Sequence, residues 1–311
     1  MHCKLGRLCC NLAAHREAAI HNRTIAGVQA GLLACLLAGP AEAAELKPEA
    51  VQGFDRYVQL TEQRMQTELR PSGVFLWVDG LPETRRSDAY ARLQRGEVVT
   101  GRLETRDSEG RVRTPGALIH HWIGTVFIPG ASLQQVLTLL QDYDHHSEYY
   151  TPEVAKSKTL EHAGDNFKVY LRLMRKKIVT VVLDTEYEVH YERLDATRAQ
   201  SRSYSTRIAE IEHPGDPREI QLPPGDDHGF LWRLYSYWRF SDTGHGVYVQ
   251  CEAISLTRDV PAGFGWLIGP FIESIPKESL EFTLQSTRAA VVHESSRGSR
   301  QIVERENAHD E

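Results

Sequence analysis

Beyond residue 154 the chain is dominated by alternation. Phe167, Val169, Leu171 and Leu173 take turns with Lys168, Tyr170, Arg172 and Met174. Val181, Leu183, Thr185, Tyr187 and Val189 do the same with Val182, Asp184, Glu186, Glu188 and His190. A period of two points successive side chains to opposite faces of a strand. One buried and one wet face is the pattern of an antiparallel sheet. Residues 118–128, 154–161, 201–211, 231–240 and 247–256 also read as strands, the last two joined as a hairpin across 241–246. The period then changes. Leu280, Leu284, Thr287 and Val291 recur at steps of three and four, opposite Lys277, Glu281, Gln285 and Arg288. That is one amphipathic helix, which needs a large apolar surface to lie on. Ser274 and Pro276 suit its first turn, after a break at Gly269-Pro270.

Upstream, residues 45–69 read as a helix with Ala50, Phe54, Tyr57, Val58 and Met65 on one side, ended by Pro71 and Gly73. Residues 74–78 read as a short strand, 88–95 as a helix capped by Ser87, 97–104 as a weak strand and 106–115 as an exposed loop or hairpin tip. Ser132 caps a helix carrying Val136, Leu137, Leu139 and Leu140 inward. A polar aromatic turn follows at 142–152. The order is strand, two short helices, about six strands, then a long helix. Strands joined in series make one curved antiparallel sheet, and a helix after the last strand lies across its concave face. The expected class is α+β of the helix-grip type, residues 116–294. Residues 44–115 form an N-terminal helical and short-strand extension packed on it, and 295–311 a disordered polar tail.

The first 43 residues follow a different logic. Arg16 and Arg23 precede an apolar run, 25–38, and small residues at Ala41 and Ala43 close it. Positive, apolar, small-x-small is the order of a secretory signal. The run is shorter than the roughly 20 residues that span a bilayer. The reading is an exported chain, periplasmic or secreted, cleaved near Ala43. Lipidation at Cys35, in Leu32-Leu33-Ala34-Cys35, is the alternative. Cleavage would leave Cys251 as the sole cysteine, so no internal disulfide forms and the core must hold the fold. In its alternating strand Cys251 reads as a buried, inert thiol.

At 311 residues with 41% hydrophobic and 25% charged, the composition is that of a globular protein. A net charge of −6 gives no support to a nucleic-acid partner.

The resemblance goes further than topology. Asp142-Tyr143…Tyr149-Tyr150-x-Pro152-x-Val154, the strand series, and Pro276-x-x-Ser279-Leu280 opening the last helix make 119–288 resemble the START-related, polyketide-cyclase-like (SRPBCC) lipid-transfer superfamily. The resemblance implies a helix-grip fold. It implies little about activity, because the superfamily hosts transfer proteins, sensors and enzymes.

Candidate chemistry is sparse. No G-x-S-x-G elbow, H-E-x-x-H pair or phosphate-cradling glycine loop occurs, and no cofactor is called for. Asp142, Asp144, His145, His146 and Glu148 hold metal-ligating atoms, but adjacent histidines rarely present both rings to one ion. They read as a packing turn, and Asp226-Asp227-His228 as a solvated loop rather than an acid–base group. The aromatics Tyr187, Trp232, Tyr235, Tyr237, Trp238, Trp266 and Phe271 either line a space beneath the helix or fill it. Arg207, Arg239 and Glu252 lie in the same strands, and whichever faces inward is a ligand handle or an ion pair, because buried charge is costly unless paired. Alternation does not fix the inward face. The expected ligand-binding set is Tyr187, Arg207, Tyr235, Trp238, Arg239, Trp266, Phe271, Leu280 and Leu284, taking a lipid-like hydrophobic molecule. Arg175, Lys176 and Lys177 form a basic turn suited to transient contact with an anionic membrane surface. A cyclase- or hydrolase-type enzyme using the same space is the alternative.

Overall fold

The computed structural model describes residues 44–70, 73–177, 180–259 and 265–307; the side chains of 265–273 and 297–307 lie outside the described residues. Residues 1–43, read above as a secretory signal with Cys35 as the alternative lipidation site, also lie outside them.

Chain order begins with β1 (Ala44–Glu45), α1 (Pro48–Glu68), a 3₁₀ turn (Trp77–Gly80), α2 (Glu83–Gln94), β2 (Val99–Arg102), β3 (Arg106–Asp107), β4 (Gly110–Arg111) and β5 (Ala117–Pro129). Then come α3 (Leu133–Gln141), α4 (His146–Tyr149), β6 (Val154–Ala163), β7 (Asn166–Lys176), β8 (Thr180–Arg193) and β9 (Arg198–Glu212). The chain closes with β10 (Ile220–Gln221), β11 (Asp226–Asp227), β12 (Arg233–Asp242), β13 (Gly246–Arg258) and α5 (Gly265–Asn307). Nine strands form one sheet in the order β2-β5-β13-β12-β9-β8-β7-β6, with β10 paired to β9. Every pairing is antiparallel. This is the expected α+β helix-grip arrangement, with α5 against one face of the sheet.

Two packed layers hold the sheet. The inner layer joins Val126, Ile128, Phe240, Val247, Val249 and Cys251 to α3 through Val136, Leu137, Leu139 and Leu140, and to α5 through Leu280, Leu284 and Val291. Gly124 sets how closely α5 approaches: a Cβ there would lie 2.7 Å from Leu284 Cδ1 and 3.3 Å from Leu280 Cδ2. The cap of α3 is as expected, with Ser132 accepting from the Gln135 N–H.

The outer layer is the N-terminal extension. Ala50, Phe54, Tyr57, Val58 and Met65 of α1 pack on Ala117, Trp232, Tyr237, Ile254 and Leu256. Pro48, with no N–H to lose, stands in the first turn of α1, so the helix starts there rather than at Glu45. Ala44 and Glu45 pair instead with Asp227 and Asp226.

Three sequence expectations change. Residues 74–78 are bends leading into a 3₁₀ turn, because the Trp77 N–H donates to the Gln250 side chain (2.6 Å) rather than to a neighbouring strand. The second helix starts at Glu83 after Pro82, with no side-chain cap, so Ser87 is interior. The last helix is continuous through Ser274 and past Ser295 to Asn307. Arg, Gln and Glu in that polar stretch are good helix formers that prolong a helix already nucleated.

Candidate functional site

The ladder register sorts the sheet's inward side chains into rows running across the strands. The first is Ala199, Phe240, Val249 and Val126, all at most 1% exposed. The second is Tyr191, Ser201, Trp238, Cys251 and Gly124, roofed at Gly124 by Leu280 and Leu284. The third is Phe167, Val189, Ser203, Ser236, Ala253 and Trp122. The fourth carries Val169, Tyr187, Ser205, Leu234, Ser255 and His120. On β12 and β13 side-chain volume drops at the third row, while β9 is small throughout and Leu234 restores bulk on β12 in the fourth. At that drop Phe240 and Val249 have given way to Ser236 and Ala253.

Burial changes with volume. Trp122, Trp238, Leu234 and Leu171 pack against the inner core yet stay only partly buried. On the helix, Leu280, Leu284, Thr287 and Val291 are buried, whereas residues 274–279 are all half-buried. Thr287 donates to the Thr283 carbonyl (2.8 Å) and so accepts from the Tyr150 hydroxyl (3.0 Å), locking the closed end. Tyr143 and Tyr191 bond hydroxyl to hydroxyl there (2.9 Å). Burial raises the Tyr187 phenol to about 12 and pushes the Cys251 thiol up as well, so both stay protonated at neutral pH. A buried thiol held in that form is a poor nucleophile.

Of the expected ligand residues, Tyr187, Trp238, Leu280 and Leu284 share the inward side. The side chains of Trp266 and Phe271 lie outside the described residues. Arg207, Tyr235 and Arg239 are on the opposite face, and this corrects the expectation. Tyr235 meets Phe54 edge-on at 5.2 Å. Arg207 donates to the Gln221 side chain. Arg239 pairs with Glu68 (2.8 Å) and donates to the Phe75 carbonyl (2.8 Å). Trp232 and Tyr237 face outward too, bonded to Asp227 (2.9 Å) and Glu62 (2.8 Å). The arginines are structural ion-pair and hydrogen-bond partners, because α1 and the β10 region bring acceptors to them.

The outer face holds a buried polar chain that the sequence did not announce. Tyr57 accepts from the Thr105 N–H (2.8 Å) and donates to His121 Nδ1 (2.8 Å). His121 Nε2 then donates to Glu252 (2.6 Å), which also pairs with Arg64. Burial works to raise the Glu252 carboxyl, but the His121 hydrogen bond with the Arg64 and Arg239 guanidiniums outweighs it and holds it below the usual range. Tyr57 and Arg64 belong to α1 itself, so the chain clamps that helix to the sheet.

The remaining polar clusters are also occupied. His145 bonds Asp142 (2.7 Å), and His146 donates to the Leu140 carbonyl (3.1 Å). The Asp144 carboxylate accepts from the Thr159 N–H (2.8 Å). Among the described residues no group of side chains has the arrangement of a metal site. Asp227 is buried and ties the Gly229 N–H (2.8 Å) to the Trp232 indole, and Glu210 binds His228 (2.9 Å). The 226–228 segment is therefore half-interior rather than a solvated loop. In the basic turn Arg175 pairs with Glu153 and Glu278 (2.8 Å to the latter), and Lys177 with Glu278 (2.6 Å). These cations pin the sheet to α5; Lys176 is exposed.

Sequence reasoning missed the serines, Trp122 and His120. The available signal was the run Ser201, Ser203, Ser205, three small polar side chains on one face of one strand.

No family profile matches the chain, and no curated protein matches it in sequence. Solved structures do resemble it. A STAR-related lipid transfer protein from Xanthomonas axonopodis is 19% identical, with 61% of this chain and 98% of that one covered, at a TM-score of 0.39. Human STARD10 is 10% identical, covering 72% and 85%, at 0.40. The Zhui aromatase/cyclase from Streptomyces sp. R1128 is 12% identical, covering 56% and 94%, at 0.37. The chain is thus similar to START proteins and aromatase/cyclases, and at these identities the likeness is one of fold.

Proposed function

We propose that the protein binds and carries a hydrophobic small molecule between the inward face of its sheet and α5. The observation that supports this most is the run of small side chains at the centre of the third row, continued by Ser205 and Ser255 in the fourth. Small residues at Ser203, Ser236, Ala253 and Ser255 sit beside Trp122, Trp238, Leu234 and Leu171, which stay partly accessible. A sealed core buries such side chains completely. Mostly apolar walls with a few polar groups are the make-up of a small-molecule pocket. The similar structures named for lipid transfer agree with that use. Trp122, Trp238, Tyr187, Leu171 and Leu234 form the walls, and Leu280 the roof at the closed end. We further propose that the chain works outside the cytoplasm after cleavage near Ala43, and that Lys176 adds a weak attraction to an anionic membrane surface.

The test is native mass spectrometry of the purified protein, with its organic extract analysed in parallel. An adduct lost on extraction, and uptake of a fluorescent lipid analogue, are expected. A ligand-free protein that takes up neither lipid nor quinone probes refutes the reading. Export is tested separately by the mass of the chain recovered outside the cytoplasm, expected to begin at Ala44; a chain retained inside with its first 43 residues intact refutes that part.

A further inference from the structure

We propose that the bound molecule is a neutral hydrophobe with hydrogen-bond-accepting oxygen in the middle of its body, and that Ser203 and Ser236 select it. This rests on the binding reading above and narrows it to a chemical class.

Four hydroxyls carry the argument. Ser203 and Ser236 stand directly opposite each other on β9 and β12. Ser201 lies one row toward the closed end and Ser255 one row away from it. Among the described residues none of these four hydroxyls has a hydrogen-bond partner, whereas Ser205 accepts from the Leu234 N–H (3.0 Å). Ser201 is 3% exposed and Ser255 6%. Both stand on the inward face, in register with Trp238 and Leu234, which pack half-buried against the inner core. Ser203 and Ser236 are half-buried, and none of the four oxygens is sealed away from solvent. Four inward hydroxyls without a protein partner can therefore bond a ligand that displaces that solvent.

The patch also defines what that ligand is. A hydroxyl donates one hydrogen bond and accepts others, so ketone, quinone or alcohol oxygen satisfies it. A plain alkyl chain satisfies none of the four. Among the described residues an ionised group finds no counter-charge on this floor: the titratable side chains of the third and fourth rows, from β7 to β5, are Tyr187 and His120. Tyr187 is held protonated, and His120 is hydrogen-bonded to Thr257 (3.0 Å). Arg102, beside Trp122 on β2, is exposed at the rim. A buried anion without a paired cation is strongly disfavoured, so the oxygens bound at the floor are uncharged. The patch lies between Trp122 at one end of its row and Val189 and Phe167 at the other, so the oxygens fall in mid-ligand with apolar material on both sides.

Menadione and 2-methylnaphthalene have the same ring outline and differ by two carbonyl oxygens, which makes them a matched pair of probes. Equilibrium dialysis of the full chain against each, and against dodecanoate at neutral pH, reads the affinities. The wild-type protein is expected to bind menadione at least tenfold more tightly than the hydrocarbon. Ser203→Ala/Ser236→Ala is expected to weaken menadione about tenfold, the effect of one to two hydrogen bonds. The same variant should leave 2-methylnaphthalene within twofold. Dodecanoate should bind more weakly than menadione. Equal binding of menadione and hydrocarbon, an unchanged menadione affinity in the double variant, or tighter binding of dodecanoate each overturns the proposal while leaving a hydrophobic carrier intact. Failure of all three probes and of the lipid analogue overturns the carrier reading itself.

Discussion

The approach of α5 to the sheet is controlled at Gly124, and that control is measurable. Gly124→Ala puts a methyl group 2.7 Å from Leu284 Cδ1, well inside van der Waals contact, with Thr100 Cγ2 and Leu280 Cδ2 both at 3.3 Å. Leu284 is fully buried, so it has nowhere to retreat. Overpacking of this kind costs about 1–3 kcal/mol. Alanine regains about 0.5–1 kcal/mol in a strand through lower unfolded-state entropy, leaving a net loss of up to about 2.5 kcal/mol. Leu284→Ala alone opens a void under the helix and costs about 2–5 kcal/mol. In the double variant the new methyl group partly fills that void. The two changes are therefore coupled, and the double loss should fall short of the sum by at least about 1 kcal/mol. Urea unfolding followed by far-UV circular dichroism, on wild type, both single variants and the double, closes the cycle. Losses that add within about 0.5 kcal/mol, the usual margin for independent sites, would mean that the helix does not bear on the sheet at this point.

Three further outcomes follow from the same packing. Burial pushes the His146 ring down to about 4, against about 6.5 in an unfolded chain. Between those values the unfolded state binds the extra proton, so stability is full above pH 6.5 and declines by about 3 kcal/mol as pH falls to 4. Urea midpoints across pH 7 to 4 should show a flatter decline in His146→Gln, and an unchanged slope would contradict the burial. Glu252→Gln removes the negative charge that His121 and Arg64 share on the outer face; a loss of about 3–5 kcal/mol and faster proteolysis within α1 are expected, whereas a loss below 1 kcal/mol would mean that the clamp is idle. Ala199→Phe, in the sealed first row, should destabilise by about 2 kcal/mol, whereas Ser203→Phe should cost less than that in the same unfolding assay and abolish uptake of the lipid analogue.

Much of the architecture is legible in the sequence. Strands β5 to β9, β12 and β13 follow from period-two alternation and the last helix from Leu280, Leu284, Thr287 and Val291, because these periods are local properties of the backbone. The covalent order of strands and helix then suffices for a serial antiparallel sheet with one helix across it. The inward face was a different matter. In β13 nearly every residue from Gly246 to Leu256 is buried, since α5 covers one side and α1 with the turn before α2 covers the other. Where both faces are dry, alternation carries no sign, and Arg239 and Glu252 look as eligible for a pocket as Trp238 and Cys251. Only the contact of Gly124 with Leu284, and of Arg64 and Glu68 with partners far along the chain, decides which side is which. Those pairs are separated by well over a hundred residues, so no local pattern encodes them. The serine patch has the same origin: each serine is unremarked in its own strand, and the register of β9, β12 and β13 gathers them into one floor.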